Sequence, residues 1–185
     1  MRKWLVLLWL LASVGLVAYH YDKGQRHIQL EKAYAYLQDT RRLERQKDPD
    51  WETILARYDT LVGMLPRDEA PLVFREIRLA KAKARLECLD LAKSIEELDL
   101  LLPEVANAYG DEARITRATR EAMGKAQYLA AWALKSTLAS EPEWRPYAER
   151  ARQSFRYLTE HEKPAAFKAY QNRVDRTVEK MEKGL

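Results

Sequence analysis

The amino-acid sequence predicts an all-α protein with one N-terminal hydrophobic helix, and three observations support this prediction. Apolar residues recur at helical spacing along nearly the whole chain. Only 6 glycines and 7 prolines occur in 185 residues, and 32% of the residues are charged, a composition typical of helical proteins. A long uncharged segment precedes the rest of the chain. We therefore divide the sequence into a hydrophobic segment, residues 1–21, and a helical domain, residues 22–185.

The hydrophobic segment predicts a membrane anchor. Residues 4–19 carry no charge and follow Arg2 and Lys3. As a helix this run is roughly 24 Å long, against about 30 Å for the hydrocarbon core of a bilayer. The positive-inside rule then predicts a single-pass membrane protein with a cytoplasmic N-terminus and an extracytoplasmic domain, which is periplasmic in a bacterium. The residues expected to contact lipid are Trp4, Leu5, Leu7, Leu8, Trp9, Leu10, Leu11, Leu16, Val17 and Tyr19.

A cleaved signal peptide is the alternative interpretation of the same segment. Ser13 and Gly15 have the small side chains that cleavage requires at the third-last and last positions before the cut. In that case the mature protein is soluble in the periplasm.

Seven helices are predicted from about residue 26 onward, and the first of them either follows the hydrophobic segment or continues directly from it. The apolar spacing places them at about residues 26–47, 51–65, 71–90, 91–109, 111–139 and 140–160, and a last one begins at Pro164. Capping and breaking residues set several of these limits: Asp50 before the second helix, Gly110 after the fourth, and Ser140 with Glu143 at the sixth. Short connections leave two architectures open, a stack of helical hairpins or a closed bundle.

A weak internal repeat favours the stack. Residues 58–66 and 95–103 are similar segments, each of which ends an amphipathic stretch in Leu-Pro. Tyr58 and Ile95 stand eight residues before these prolines, and the small residues Ala80 and Ala84 suit a helix crossing. Over about residues 30–163 this pattern resembles the tetratricopeptide repeat, although the third unit is longer than the others. The resemblance implies an irregular tetratricopeptide-like stack of hairpins.

A second resemblance concerns residues 122–178. The segments 122–126, 148–156 and 164–172, with a break around Pro142, are similar to membrane-anchored helical proteins encoded beside MoxR-type ATPases in bacterial methanol-oxidation clusters. That resemblance implies a part in the maturation or assembly of extracytoplasmic enzymes.

The sequence contains no recognisable motif for catalysis or for a cofactor. His20, His27 and His161 are scattered, Cys88 is the only cysteine, and no glycine-rich phosphate loop or serine nucleophile elbow occurs. The net charge is +4, and acidic residues alternate with basic ones along the chain, which argues against a nucleic-acid-binding protein. We therefore predict a protein that is not an enzyme and holds no metal or cofactor.

Recognition of another protein is the function that these patterns favour. A stack of hairpins offers a surface for a partner, and aromatic and arginine side chains often carry such contacts. The candidate contacts are Tyr34, Tyr36, Trp132, Trp144, Arg145 and Tyr147, although aromatic rings of this kind also pack in cores. We predict a membrane-anchored interaction or assembly module that acts on an envelope or membrane complex. The alternative is a permanent accessory subunit of such a complex.

Overall fold

A computed structural model gives the fold of the chain. It describes residues 2–65, 67–68, 70–161, 172, 175–176 and 179. Within the first 161 residues it contains six helices, which are α1 (Arg2–Glu44), α2 (Trp51–Met64), α3 (Pro71–Glu87), α4 (Leu91–Tyr109), α5 (Arg114–Ser136) and α6 (Glu141–His161). The described residues contain no strand, which confirms the all-α prediction. Most of the seventh predicted helix, from Pro164 onward, lies outside the described residues.

Local signals set most of the helix ends. The Asp50 carboxylate accepts a hydrogen bond from the Thr53 backbone N–H at 3.1 Å and so caps α2, and these bonds from Thr53 lower the pKa of Asp50. Pro71 stands in the first turn of α3, where its missing N–H leaves no bond unmade. Gly110 ends α4 with a φ of 86°, which side chains other than glycine rarely adopt. The Ser140 backbone N–H donates to the Glu143 carboxylate at 2.7 Å, one half of the predicted capping box.

The structure corrects the prediction for the N-terminal segment. One continuous helix, α1, runs through both the hydrophobic segment and the helix predicted from residue 26. No helix in the described part of the chain has the length and hydropathy needed to cross a membrane. The physical reason is that the uncharged run stops after sixteen residues, contains Ser13 and Gly15, and is soon followed by Asp22 and Lys23. The predicted single-pass membrane location is therefore wrong, and the lipid contacts predicted from Trp4 to Tyr19 stay a prediction.

The helices pack mainly against their neighbours in sequence, from α1 on α2 to α5 on α6, and α3 also contacts α5. This arrangement divides the buried apolar residues into three clusters. The first joins α1, α2 and α3 around Tyr58, the second joins α3, α4 and α5 around Leu98, and the third joins α5 and α6 around Trp144. The core is thus a row of three clusters along the chain rather than one central cluster.

Two hairpins, α3–α4 and α5–α6, share the same turn. In each, the residue after the helix cap is a leucine with positive φ, Leu89 at 59° and Leu138 at 60°. In each, the next residue donates its backbone N–H to a carbonyl five residues earlier, Asp90 to Arg85 and Ala139 to Leu134, as in a Schellman motif. Both leucine side chains are exposed, by 74% and 93%. The two turns lie 49 residues apart and mark two equivalent hairpins.

Candidate functional site

A large cavity lies along the odd-numbered helices. Its volume is about 880 Å³, and residues of α1, α3 and α5 line it together with Tyr109 and Ala113 from the end of α4 and the following loop. We call it the α1–α3–α5 groove. Its apolar lining consists of Leu72, Leu79, Ala80, Ala113, Ile115 and Ala118. The groove exists because α3 lies between α1 and α5, held to α1 by the Arg41–Glu76 ion pair at 3.6 Å and packed on α5.

The groove has a positive charge. Four cationic side chains line it, those of Arg41, Arg45, Lys83 and Arg114, against the two carboxylates of Glu44 and Glu76. Its net charge is therefore +2. Arg41 is already paired with Glu76. None of the other three cations forms an ion pair with another residue in the described part of the chain, and their charges are available to a ligand.

Lys83 is the cation at the middle of this surface. It lies on α3 between two buried alanines, Ala82 and Ala84, so its backbone is held in the core while its side chain is directed to the groove. Desolvation by the groove walls lowers the pKa of Lys83, the cations Lys125 and Arg114 lower it further, and the carboxylates of Glu121 and Glu44 oppose the shift. Because Lys83 is exposed to solvent, its ammonium group is accessible to an anionic ligand in the groove.

Glu44, which lines the groove, lies near a buried tyrosine hydroxyl. Tyr58 of α2 is fully buried, and its hydroxyl oxygen has no hydrogen-bond partner among the described residues. Burial raises the pKa of Tyr58, and the negative charge of the nearby Glu44 raises it further. Tyr58 is therefore a neutral residue of the first core cluster, and it does not line the groove.

The six aromatic and arginine residues predicted to contact a partner do not form one site. Trp144 is 1% exposed and belongs to the third core cluster. Tyr36 is half-buried under the Arg57 guanidinium, 5.1 Å from its ring centroid. Tyr34 and Trp132 are exposed by 41% and 54% on different helices, and Arg145 pairs with Glu141 within α6. None of the six lines the groove.

Tyr147 lies in a second and smaller cavity. This cavity, about 380 Å³ in volume, is lined by the α4 residues Ala92, Ile95, Glu96, Asp99 and Leu100, with Tyr147 from α6. Its charged residues are both acidic, in contrast to the groove. Tyr147 is thus the one predicted contact residue that the structure places beside a charged surface cavity.

The groove could not be predicted from the sequence, because its cations come from positions far apart in the chain. Arg45, Lys83 and Arg114 are separated by more than thirty residues each, and each lies in a stretch of mixed charge that is typical of a solvated helix face. Only the packing of α1, α3 and α5 brings them to one cavity. The spacing of Lys83 between two small apolar residues was the single local feature that could have drawn attention to it.

Metal ligands and the single cysteine are the other features that the sequence offers for chemistry. The described residues contain no group of three or more histidine, cysteine or acidic side chains arranged to bind a metal ion. Cys88 is a free, half-buried thiol. Burial and the surrounding carboxylates raise the pKa of Cys88, which disfavours the reactive thiolate.

Comparison with known proteins gives no relative for this chain. No family model matches it, and no curated protein and no solved structure is significantly similar to it. Both resemblances described above therefore stay predictions.

Proposed function

We propose that this protein is a non-catalytic protein-interaction module and that the α1–α3–α5 groove binds a segment of its partner. The observation that carries the proposal is the groove itself, an open cavity of about 880 Å³ with an apolar floor and three cations that lack an ion pair among the described residues. Apolar surface with a few charged groups around it is typical of a site for a protein segment.

The packing of the helices supports an open stack of tetratricopeptide-like hairpins as the scaffold. Sequential packing, a row of three core clusters and the added contact between α3 and α5 are what a stack requires. In a closed bundle, the first and last helices would instead share one core. The repeated leucine turn adds that α3–α4 and α5–α6 are equivalent units.

The charge of the groove favours an acidic segment. Lys83 on α3, Arg45 directly after α1 and Arg114 on α5 all line the groove. A carboxylate between them would gain charge-assisted hydrogen bonds, while apolar side chains of the same segment would cover Leu79 and Ile115. We therefore expect the bound segment to combine acidic with apolar residues.

Capture experiments with matched variants test this proposal. The full chain, a Lys83→Glu/Arg114→Glu groove variant and a Lys32→Glu control would each be used to capture proteins from an extract of the source cells. Lys32 is exposed on α1 and does not line the groove. We expect a partner that the native chain and the control retain and the groove variant loses.

A photo-crosslinking residue at Leu72 then identifies the segment that lies in the groove. Leu72 lines the groove and is 43% exposed, so its replacement disturbs little packing. Crosslinks to an acidic and apolar segment of the captured partner would support the proposal. Capture that does not depend on the groove charges, or no capture at all, would refute it.

A further inference from the structure

A second charged surface of the molecule complements the groove. On α4, Glu96, Asp99, Leu100 and Pro103 are all exposed. Their spacing of three, four and seven residues places them in one line along the helix. We call this line the α4 stripe. Neither Glu96 nor Asp99 forms an ion pair within the described residues, and Leu100 is 63% exposed.

The α4 stripe has the chemistry that the groove selects. It presents two carboxylates that lack an ion pair among the described residues, and a large apolar side chain, on a helix that is already folded. The groove presents cations that can pair with these carboxylates, together with apolar side chains that can contact the leucine. A preformed helix loses little conformational entropy on binding, which favours it over a disordered segment of the same composition.

We propose that the α4 stripe of one copy of this protein docks in the α1–α3–α5 groove of a second copy. The inference rests on the proposed function, because it identifies the segment that the groove binds. Glu96 and Asp99 then pair with Lys83 and Arg114 of the other copy, and Leu100 covers the apolar floor.

The fold prevents this contact from forming within one molecule. The inner face of α4, with Ile95, Leu98, Leu101 and Val105, is buried against α3 and α5 in the second core cluster. The stripe is on the other side of α4, whereas the groove is lined by α1, α3 and α5. One copy therefore keeps a free stripe and a free groove after the first contact, and the association is head-to-tail.

Head-to-tail association has two measurable signatures. It continues beyond a dimer as the concentration rises, either to a closed ring or to longer chains. It also weakens as salt is added, because the charged groups at its rim are screened. A single stripe in a single groove makes a small interface, so we expect dissociation constants of about micromolar or weaker.

A pair of charge-reversal variants tests the proposal by sedimentation equilibrium of the full chain. The groove variant Lys83→Glu/Arg114→Glu keeps an intact stripe, and the stripe variant Glu96→Lys/Asp99→Lys keeps an intact groove. We expect the native chain to associate and each variant alone to weaken association at least tenfold. Their equimolar mixture should associate again at 1:1 stoichiometry, because every groove in it then meets a stripe of opposite charge.

Other outcomes would overturn the proposal. They are a native chain that remains a monomer up to about millimolar concentration, variants that associate as strongly as the native chain, or a mixture that forms no 1:1 complex. Circular dichroism and the thermal midpoint check that both variants fold, and the single substitutions Lys83→Gln and Asp99→Asn replace any pair that does not. Lys32→Glu, a charge reversal outside both the groove and the stripe, is the control, for which we expect association to be unchanged.

The capture experiment separates this inference from the proposed function. A monomeric native chain that still captures a different acidic partner through the groove would refute self-association and leave the proposed function intact. A native chain that neither self-associates nor captures a partner through the groove would refute both proposals.

Discussion

The hairpins α3–α4 and α5–α6 have the same turn but are held together by different interactions. In α3–α4, ion pairs join the two helices: Glu104 accepts hydrogen bonds from Arg75 at 2.7 Å and from Arg78 at 2.5 Å, and Arg78 also pairs with Glu97. In α5–α6, small residues allow close approach. A Cβ placed on Gly124 would lie 2.9 Å from Phe155 Cζ. The geometry of these hairpins therefore depends on the shared turn and on the apolar face of each helix, and not on one type of interhelical contact.

The two hairpins should therefore respond to different perturbations. Close packing is lost when the volume of a side chain changes, whereas ion pairs are lost when charge, pH or salt changes. Four predictions, in order of decreasing effect, test this difference.

Removal of the Phe155 ring should have the largest effect. Phe155 is fully buried in the third core cluster. We expect Phe155→Ala to lower the free energy of unfolding by about 3 to 5 kcal/mol, because transfer and cavity costs add. Urea denaturation measures the change, and Gln153→Ala, at an exposed position of the same helix, should stay within about 0.5 kcal/mol of the native chain. Equal effects of the two substitutions would contradict the packing of α6 described above.

A larger side chain at Gly124 should destabilise the same hairpin by separating its helices. Gly124→Val places methyl groups where Phe155 and Ser154 already lie, and we expect a loss of about 1 to 3 kcal/mol. Gly63→Ala is the matched control, because nothing lies within 4 Å of its Cβ position in α2. That substitution should stabilise the protein by up to about 1 kcal/mol through helix propensity. A neutral Gly124→Val would show that α5 and α6 are less closely packed.

The ion pairs of α3–α4 should give a smaller and pH-dependent effect. Partial burial raises the pKa of Glu104, but the hydrogen bonds from Arg75 and Arg78 outweigh it and hold that pKa below the ordinary value. Because the folded pKa is the lower one, the stabilisation is complete above the unfolded pKa of about 4.3 and is lost as pH falls through the folded value.

Glu104→Gln tests that dependence. Glu104 is partly exposed to solvent, at 36% of its side chain, so screening reduces the expected loss to about 1 kcal/mol at pH 7. The difference from the native chain should shrink below about pH 4, as measured by urea denaturation across pH. Phe155→Ala serves as the comparison, since its effect should be nearly independent of pH over the same range.

Glycine in the shared turns should stabilise both hairpins. Leu89 and Leu138 have positive φ, a conformation that is unfavourable for a residue with a Cβ. We expect Leu138→Gly and Leu89→Gly to raise stability by about 0.5 to 1 kcal/mol each, after the greater freedom of glycine in the unfolded chain is subtracted. Leu138→Ala removes the side chain and keeps the strain, so it should leave the thermal midpoint unchanged. A destabilising Leu138→Gly would show that the leucine side chain contributes to the fold.

The helices could be predicted from the sequence because their signals are local. The cap at Asp50 and the glycine after Tyr109 each act within one or two turns, and the structure confirms both. The continuity of α1 was an open alternative at the sequence level, because no capping residue separates its two parts, and the structure shows one helix. The predicted membrane span was wrong because a helix of sixteen uncharged residues is too short to cross the hydrocarbon core of a bilayer.

The groove could not be predicted from local signals. Its three cations without an ion pair in the described residues come from α3, α5 and the turn after α1, and only tertiary packing brings them together. Aromatic content was a poor guide to the surface: Trp144 is fully buried, while Trp132, twelve residues earlier, is exposed. The helical spacing of an aromatic residue predicts which side of its helix it occupies, but not which side of that helix the neighbouring helix covers.

The position of α3 affects how the protein unfolds. Phe74 and Ile77 on this helix belong to the first core cluster, while Leu79 and Leu86 belong to the second. Loss of α3 would therefore disrupt two clusters at once, whereas α6 is attached mainly through α5. Amide hydrogen exchange should then be slowest in α3 and its neighbours and faster in α6, so that the chain loses its last described hairpin before its centre.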